Sequence, residues 1–235
     1  VATDLSDNDT SIPVAPTPRP PSLGHVARRL QAGFMHSVLS FTRLEIPELE
    51  VFETAVTFEP DTDPLSAHDA LTDVFGRKAG FGHYLFRADS AVPGRYWVRS
   101  VEPWTRWPDG AVSALEPKRE VIQLAEGLMY RFTLPICAGR EYVEGNEKRV
   151  VPFATAQEVD AWFKEMAPSF GLRLLINDTA LATLRFSHRG QRFKVQHAVI
   201  EGALEVSNAE YLRRRLIRGF GSHRKAGLGM LQLSA

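Results

Sequence analysis

The sequence predicts an α+β protein made of two tandem β-α-β-β-α-β units behind an N-terminal helical extension, and three observations predict it. Segments of strand period and helix period alternate in that order over residues 49–127, and the order returns over residues 128–235. The length, 235 residues, suits two domains of about a hundred residues each plus an extension. The composition also changes early: Asp4, Asp7 and Asp9, followed by Pro13, Pro16, Pro18, Pro20 and Pro21, resist a packed core, so residues 1–22 read as an extended arm.

In chain order, Ser22 is placed to cap an amphipathic helix over 23–42, where Leu23, Val26, Leu30, Phe34, Val38 and Phe41 recur at helical spacing. Arg28 and Arg29 fall off that apolar stripe, and the arm and helix together make a first segment of residues 1–48. A strand over 49–59 ends at Pro60–Pro64, and a helix is expected over 65–75. Strands over 84–88 and 96–101 flank a turn with Pro93 and Gly94, which suits a hairpin. A short helix over 111–116 and a strand from Val121 complete a ferredoxin-like unit.

The second unit begins with a strand over 128–137 and a polar, basic loop over 138–151 carrying Arg140, Lys148 and Arg149. A helix over 156–167 has Val159, Trp162, Phe163 and Met166 on one face. Strands over 171–186 and 192–203 follow, then a helix over 208–218 capped by Ser207, then a last strand over 228–233.

Net charge is zero, so bulk charge gives no argument for a nucleic-acid partner, but its distribution does. Residues 1–64 carry ten acids and four Arg, whereas residues 205–235 carry six Arg or Lys and two Glu. The single cysteine, Cys137, excludes an internal disulfide and a cysteine-type zinc site, and its apolar neighbours make it a small core residue in a reducing compartment. The histidines and carboxylates have no metal-ligand spacing, so no metal or cofactor is expected. No apolar run reaches membrane-span length and no signal peptide is visible, so no membrane partner is expected and the location read is cytoplasmic.

The strongest motif is the last stretch, in which Gly219, Gly221, Gly227 and Gly229 surround His223, Arg224 and Lys225. Glycines allow positive φ and close backbone approach, and a loop of this kind can turn several N–H groups toward an anion. The preceding helix ends in Arg213, Arg214, Arg215 and Arg218, and three consecutive arginines fan over about 200°, so at least two must be solvated or on a ligand. A dinucleotide loop or P-loop is excluded by context, because those lie between a strand and a following helix.

Helix, Gly-x-Gly, basic residues, Gly-x-Gly and terminal strand resemble the glycine-rich loop of the repeat-associated RNA-binding (RAMP) proteins. With the early histidine-bearing helix and the segments 130–137 and 199–204, residues 49–235 resemble the CRISPR repeat-processing endoribonucleases, most of all the type I-E enzymes, with their type IV counterparts second. The resemblance implies two ferredoxin-like folds and a metal-free enzyme. It would bind the stem-loop of precursor CRISPR RNA, cut at its 3′ base through the RNA's own 2′-hydroxyl, and stay with its product among the other subunits of an effector complex. It implies a catalytic role for His68, at the place of the family's helix-start histidine, with Arg224, His223 and Lys225 as the further candidates. Leu65 stands where the type I-E pattern has a tyrosine, and type IV relatives lean on arginine, which gives Arg224 and its neighbours a larger share. RNA contacts are expected from Arg213, Arg214, Arg215, Arg218, the four loop glycines, Arg140, Lys148, Arg149, Arg28 and Arg29.

Two other functions fit the same residues. One is a RAMP-type subunit that holds RNA without cutting it, and the other is a ferredoxin-like protein whose basic helix meets an acidic partner.

Overall fold

The computed structural model describes residues 47–75, 83–144 and 147–234. The arm, the expected helix over 23–42, and Arg28 and Arg29 lie outside them. Residues 46–235 form one compact unit.

The first half runs β1 (Glu48–Thr57), α1 (Pro64–Phe75), β2 (Tyr84–Ala88), β3 (Arg95–Ser100), β4 (Ser113–Ala114) and β5 (Lys118–Gln123). Its antiparallel sheet has the order β2-β3-β1, with β4 and β5 both on the far edge of β1. That is the ferredoxin-like order with its fourth strand broken into two pieces. The expected helix over 111–116 does not form. Gly110 at φ +78° and Pro117 bound too few residues for a stable nucleus. The open edge of β1 takes the segment instead, with Val112 N–H donating to Thr57 O and Leu115 N–H to Ala55 O.

Helix α1 begins where Asp63 accepts from the Leu65 and Ser66 N–H groups at 2.9 and 3.1 Å, with Pro64 in the first helical position. Its buried side, Ala67 and Leu71, packs on Val56, Phe86, Tyr96 and Val98 of the sheet.

The second half runs β6 (Met129–Ile136), β7 (Gly139–Glu144), β8 (Glu147–Pro152), α2 (Ala156–Met166), β9 (Leu172–His188), β10 (Gln191–Val206), α3 (Ala209–Arg218) and β11 (Gln232–Ser234). The order β11-β6-β10-β9 is the complete ferredoxin-like arrangement. Thr155 and Glu158 form a reciprocal cap on α2, whose Val159 and Phe163 enter a core with Leu134, Ile136, Ile200, Leu204, Leu212 and Phe220. The basic loop expected over 138–151 is instead the β7–β8 hairpin. The cap of α3 is Asn208 rather than Ser207, because it is the Asn208 side chain that accepts from Tyr211 N–H at 3.0 Å. The last strand is shorter than expected, since Leu228–Leu231 is buried chain without a ladder and only Gln232–Ser234 pairs with β6.

The halves share one buried cluster, in which Leu49, Val51 and Leu124 of the first join Phe132, Leu134 and Leu216 of the second, and polar contacts add to it. Arg99, only 4% exposed, bonds Glu53 at 2.7 Å and donates to Leu231 O at 2.8 Å, tying the first sheet to the chain entering β11. The β9–β10 hairpin, closed by Arg189 and Gly190 at positive φ, reaches beyond the second core to α1. There His188 meets Asp63 at 3.2 Å and Arg189 meets Asp69 at 3.1 Å.

Candidate active site

Those hairpin contacts press the start of α1 against the glycine-rich loop, whose 3-10 turn (Arg224–Ala226) packs on the helix. The result is an open cleft of about 550 Å³ lined by Leu65, Phe186, Phe193, Lys194, Val195 and residues 222–226. Leu65 is therefore a wall of the cleft.

One turn beyond Leu65, His68 is half-buried, and its ring stacks on Phe86 with centroids 6.0 Å apart and planes 12° apart. Its Nδ1 lies 2.7 Å from the Tyr84 hydroxyl, which lies 2.7 Å from Thr72 Oγ1, which lies 2.8 Å from the His68 carbonyl. Three short contacts need three hydrogens. Thr72 and Tyr84 supply one each, so the third belongs to Nδ1. With Thr72 donating to the carbonyl, Tyr84 donates to Thr72 and Nδ1–H donates to Tyr84, while the Tyr84 hydroxyl also approaches the His68 carbonyl at 3.2 Å. That tautomer leaves the lone pair on Nε2. Burial pushes the Tyr84 phenol up to about 12, so it keeps its proton. Burial, and after it the charge of Lys225, push the His68 pKa below the usual histidine value, against a smaller opposing effect of Asp69. Both effects favour the neutral ring, and Nε2 stays outside the relay. Tyr84 and Thr72 carry no motif in the sequence; the signal that could have pointed to Tyr84 is a polar-tipped aromatic at the start of an otherwise apolar strand.

Part of the backbone of the glycine loop is spent within the fold. The N–H groups of Gly219, Phe220, Ser222, Ala226, Gly227 and Gly229 donate to carbonyls of Arg215, Gly229, Cys137, His223, Arg224 and Pro135 respectively. The glycines serve packing. A Cβ on Gly229, at φ +88°, would collide with the Phe220 carbonyl, and one on Gly221 would lie 2.7 Å from the Ile136 side chain. Gly219, Gly227 and Gly229 thus keep their N–H groups inside the fold, and the side chains of residues 223–225 stand at the turn. His223 is exposed in a left-handed conformation at φ +58°, with Nδ1 3.0 Å from Ser222 Oγ. Lys225 is exposed, and its charge is felt at His68. Arg224 is partly buried and donates to the Arg218 carbonyl at the end of α3, while burial and then Arg215 lower its pKa.

The arginine cluster divides as its helical spacing requires. Arg213, Arg214 and Arg218 are exposed, Arg214 pairing with Glu210 at 2.9 Å. Arg215 instead lies over the Phe170 ring at 4.7 Å. Arg140, exposed on β7, lies over Phe153 at 5.9 Å and lines a second cleft with Tyr142, Trp162, Gly221 and Ser222. Lys148 and Arg149 lie on β8, paired with Val143 and Tyr142. The Cys137 thiol is buried, and burial raises its pKa, as a core residue requires.

Fold and cleft together define a class: a paired ferredoxin-like protein whose second unit sets a basic, glycine-rich loop against the histidine-bearing helix of the first. A family model described as CRISPR associated protein matches residues 42–234, and the chain belongs to that family. No curated protein matches the sequence. Among solved structures, the chain is similar to the CRISPR endoribonuclease Cse3 bound to a 19-nucleotide RNA, at 22% identity and a TM-score of 0.67, with 80% of this chain and 100% of that one covered. It is also similar to the CRISPR-associated protein Cas6e of Escherichia coli K-12, at 18% identity and a TM-score of 0.59, covering 79% and 99%. A chain of a CRISPR RNA-guided surveillance complex matches at 16% identity and a TM-score of 0.58, covering 78% and 98%. The likenesses agree with the two tandem ferredoxin-like units. Among the described residues, no helix is long and apolar enough to cross a membrane.

Proposed function

We propose that the protein is a metal-independent endoribonuclease of CRISPR RNA maturation. It binds the repeat stem-loop of a precursor CRISPR RNA, cuts at the 3′ base of the stem, and stays with the product in a cytoplasmic effector complex. The observation that carries this reading is the relay Thr72–Tyr84–His68, which presents a neutral histidine Nε2 beside the cationic turn of the second half. The family membership and the likeness to an RNA-bound endoribonuclease support it.

The reaction follows from those groups. His68 Nε2 takes the proton of the 2′-hydroxyl as the O2′–P bond forms. The P–O5′ bond breaks, and the leaving oxygen takes a proton from the Lys225 ammonium. His223 and Arg224 stand by the added phosphorane charge. The products are a 2′,3′-cyclic phosphate and a 5′-hydroxyl. Arg213, Arg214, Arg218 and Arg140 hold stem phosphates, with Lys148 and Arg149 on the hairpin beside them, and the boundary between the two working units falls at 127/128.

The test is incubation with the repeat RNA in EDTA, followed by mapping of the ends. Cleavage with 5′-hydroxyl ends is expected. A requirement for Mg²⁺ or the appearance of 5′-phosphate ends would reject the mechanism. RNA bound tightly yet left intact would favour the non-catalytic RNA-holding subunit.

A further inference from the structure

Phe186 and Phe193 are direct cross-strand partners near the outer end of the β9–β10 hairpin, stacked with centroids 5.1 Å apart and planes 11° apart. The next pair inward on the same face, Leu184 and Val195, is covered by Cys137 and Leu228. Outward, His188 is engaged by Asp63. Between these two anchors the phenylalanines stay half-buried, and both face the cleft that holds the glycine-rich turn. Core packing accounts for one side of the pair and leaves the side toward the cleft unexplained.

The rim of the cleft supplies a charge for its occupant to match. Lys194, His223 and Lys225 are exposed there and Arg224 is partly so. At the helix beside it, Asp63 is engaged by Ser66 and His188, and Asp69 by Arg189. A flat apolar wall under a cationic rim fits an occupant with a flat ring and a negative charge. A nucleotide has both, and an unpaired one can be splayed out so that its ring face meets a side chain.

We propose that Phe186 and Phe193 form a stacking platform for the base of the first unpaired nucleotide 3′ of the cut, whose 5′ phosphate is the scissile one. This rests on the endoribonuclease reading and adds a contact that tells the end of the stem from its interior. The platform tolerates any base, because every base has a π face. It fixes the leaving nucleotide, and with it the line of O2′, P and O5′.

The test uses the full chain and its repeat stem-loop with 2-aminopurine at the nucleotide 3′ of the cut, the attacking 2′-hydroxyl being replaced by hydrogen. The fluorescence should be quenched on binding, keep its quench with Phe193→Tyr and lose it with Phe193→Ala. In cleavable RNA, an abasic residue at that position should lower kcat/KM about 5- to 150-fold for the wild type, the range of a missing base–aromatic stack, and add little to the defect of Phe193→Ala. The abasic arm needs no protein variant, so a poorly folding Phe193→Ala leaves the proposal exposed. Unchanged fluorescence on binding, or an abasic penalty as large in Phe193→Ala as in the wild type, would overturn it. Anisotropy in the same titration separates the two readings: a stem-loop that is neither bound nor cut defeats the endoribonuclease reading and the platform with it, whereas one bound and cut without these signatures defeats the platform alone.

Discussion

The two halves of residues 46–235 share a strand order and differ in completeness. The second has an unbroken 4-1-3-2 sheet, two helices and the larger core; the first has a broken fourth strand, one helix among its described residues, and a small core under α1. Completeness and chemistry fall on opposite sides. The second half is a stiff frame that presents cations on α3 and the glycine-rich turn, and the first sets one histidine in a short relay of hydroxyls. Binding should therefore depend mainly on the second half, and proton transfer on the first.

Two sets of variants sharpen that contrast, taken from the larger expected effect to the smaller. Arg213→Ala combined with Arg214→Ala should weaken stem-loop binding and flatten its salt dependence, by roughly 0.9 in the log–log slope for each phosphate no longer neutralised. Arg215 is best left in place, because its guanidinium also packs on Phe170. Filter-binding titrations across salt would read this, and an unchanged slope would make α3 a merely solvated face.

Tyr84→Phe removes the hydroxyl that fixes the His68 tautomer without opening a large cavity. Single-turnover cleavage should fall about tenfold with binding unchanged, within the range of a weakened general base. The pH profile carries the sign. A base must be unprotonated to work, so the rate falls as pH drops through the His68 pKa, which burial and Lys225 hold below the usual histidine value. Lys225→Ala removes the repelling charge and should move that acidic limb upward. A limb that stays in place would break the link between the two halves.

Much of this arrangement was legible in the sequence. Val159, Trp162, Phe163 and Met166 announced α2 by spacing, and the glycines marked the loop. What failed did so for tertiary reasons. Residues 111–116 contain good helix formers, yet the edge of β1 was within reach and took them as β4. Which N–H groups of the glycine loop turn inward was not legible either, because it depends on the strand beneath, here the carbonyls of Pro135 and Cys137. The relay was hidden because Tyr84 lies sixteen residues from His68 and on a strand, whereas His68 is on a helix. Leu65 carries no hydroxyl, and β2 brings one to the His68 ring as Tyr84. The short spacing 63–66, Asp-Pro-x-Ser, did carry a cap signal for α1, and it is the same Asp63 that anchors the hairpin.

On the proposed reading the first half supplies the proton acceptor and the second supplies the grip. The most direct measurement compares His68→Ala with wild type in single-turnover cleavage of the repeat stem-loop, with affinity measured on the same preparations. The rate should fall by about 10² or more, with affinity nearly unchanged. Cleavage by His68→Ala at the wild-type rate, with Arg224→Ala inactive, would contradict the account and move the chemistry into the glycine-rich turn of the second half.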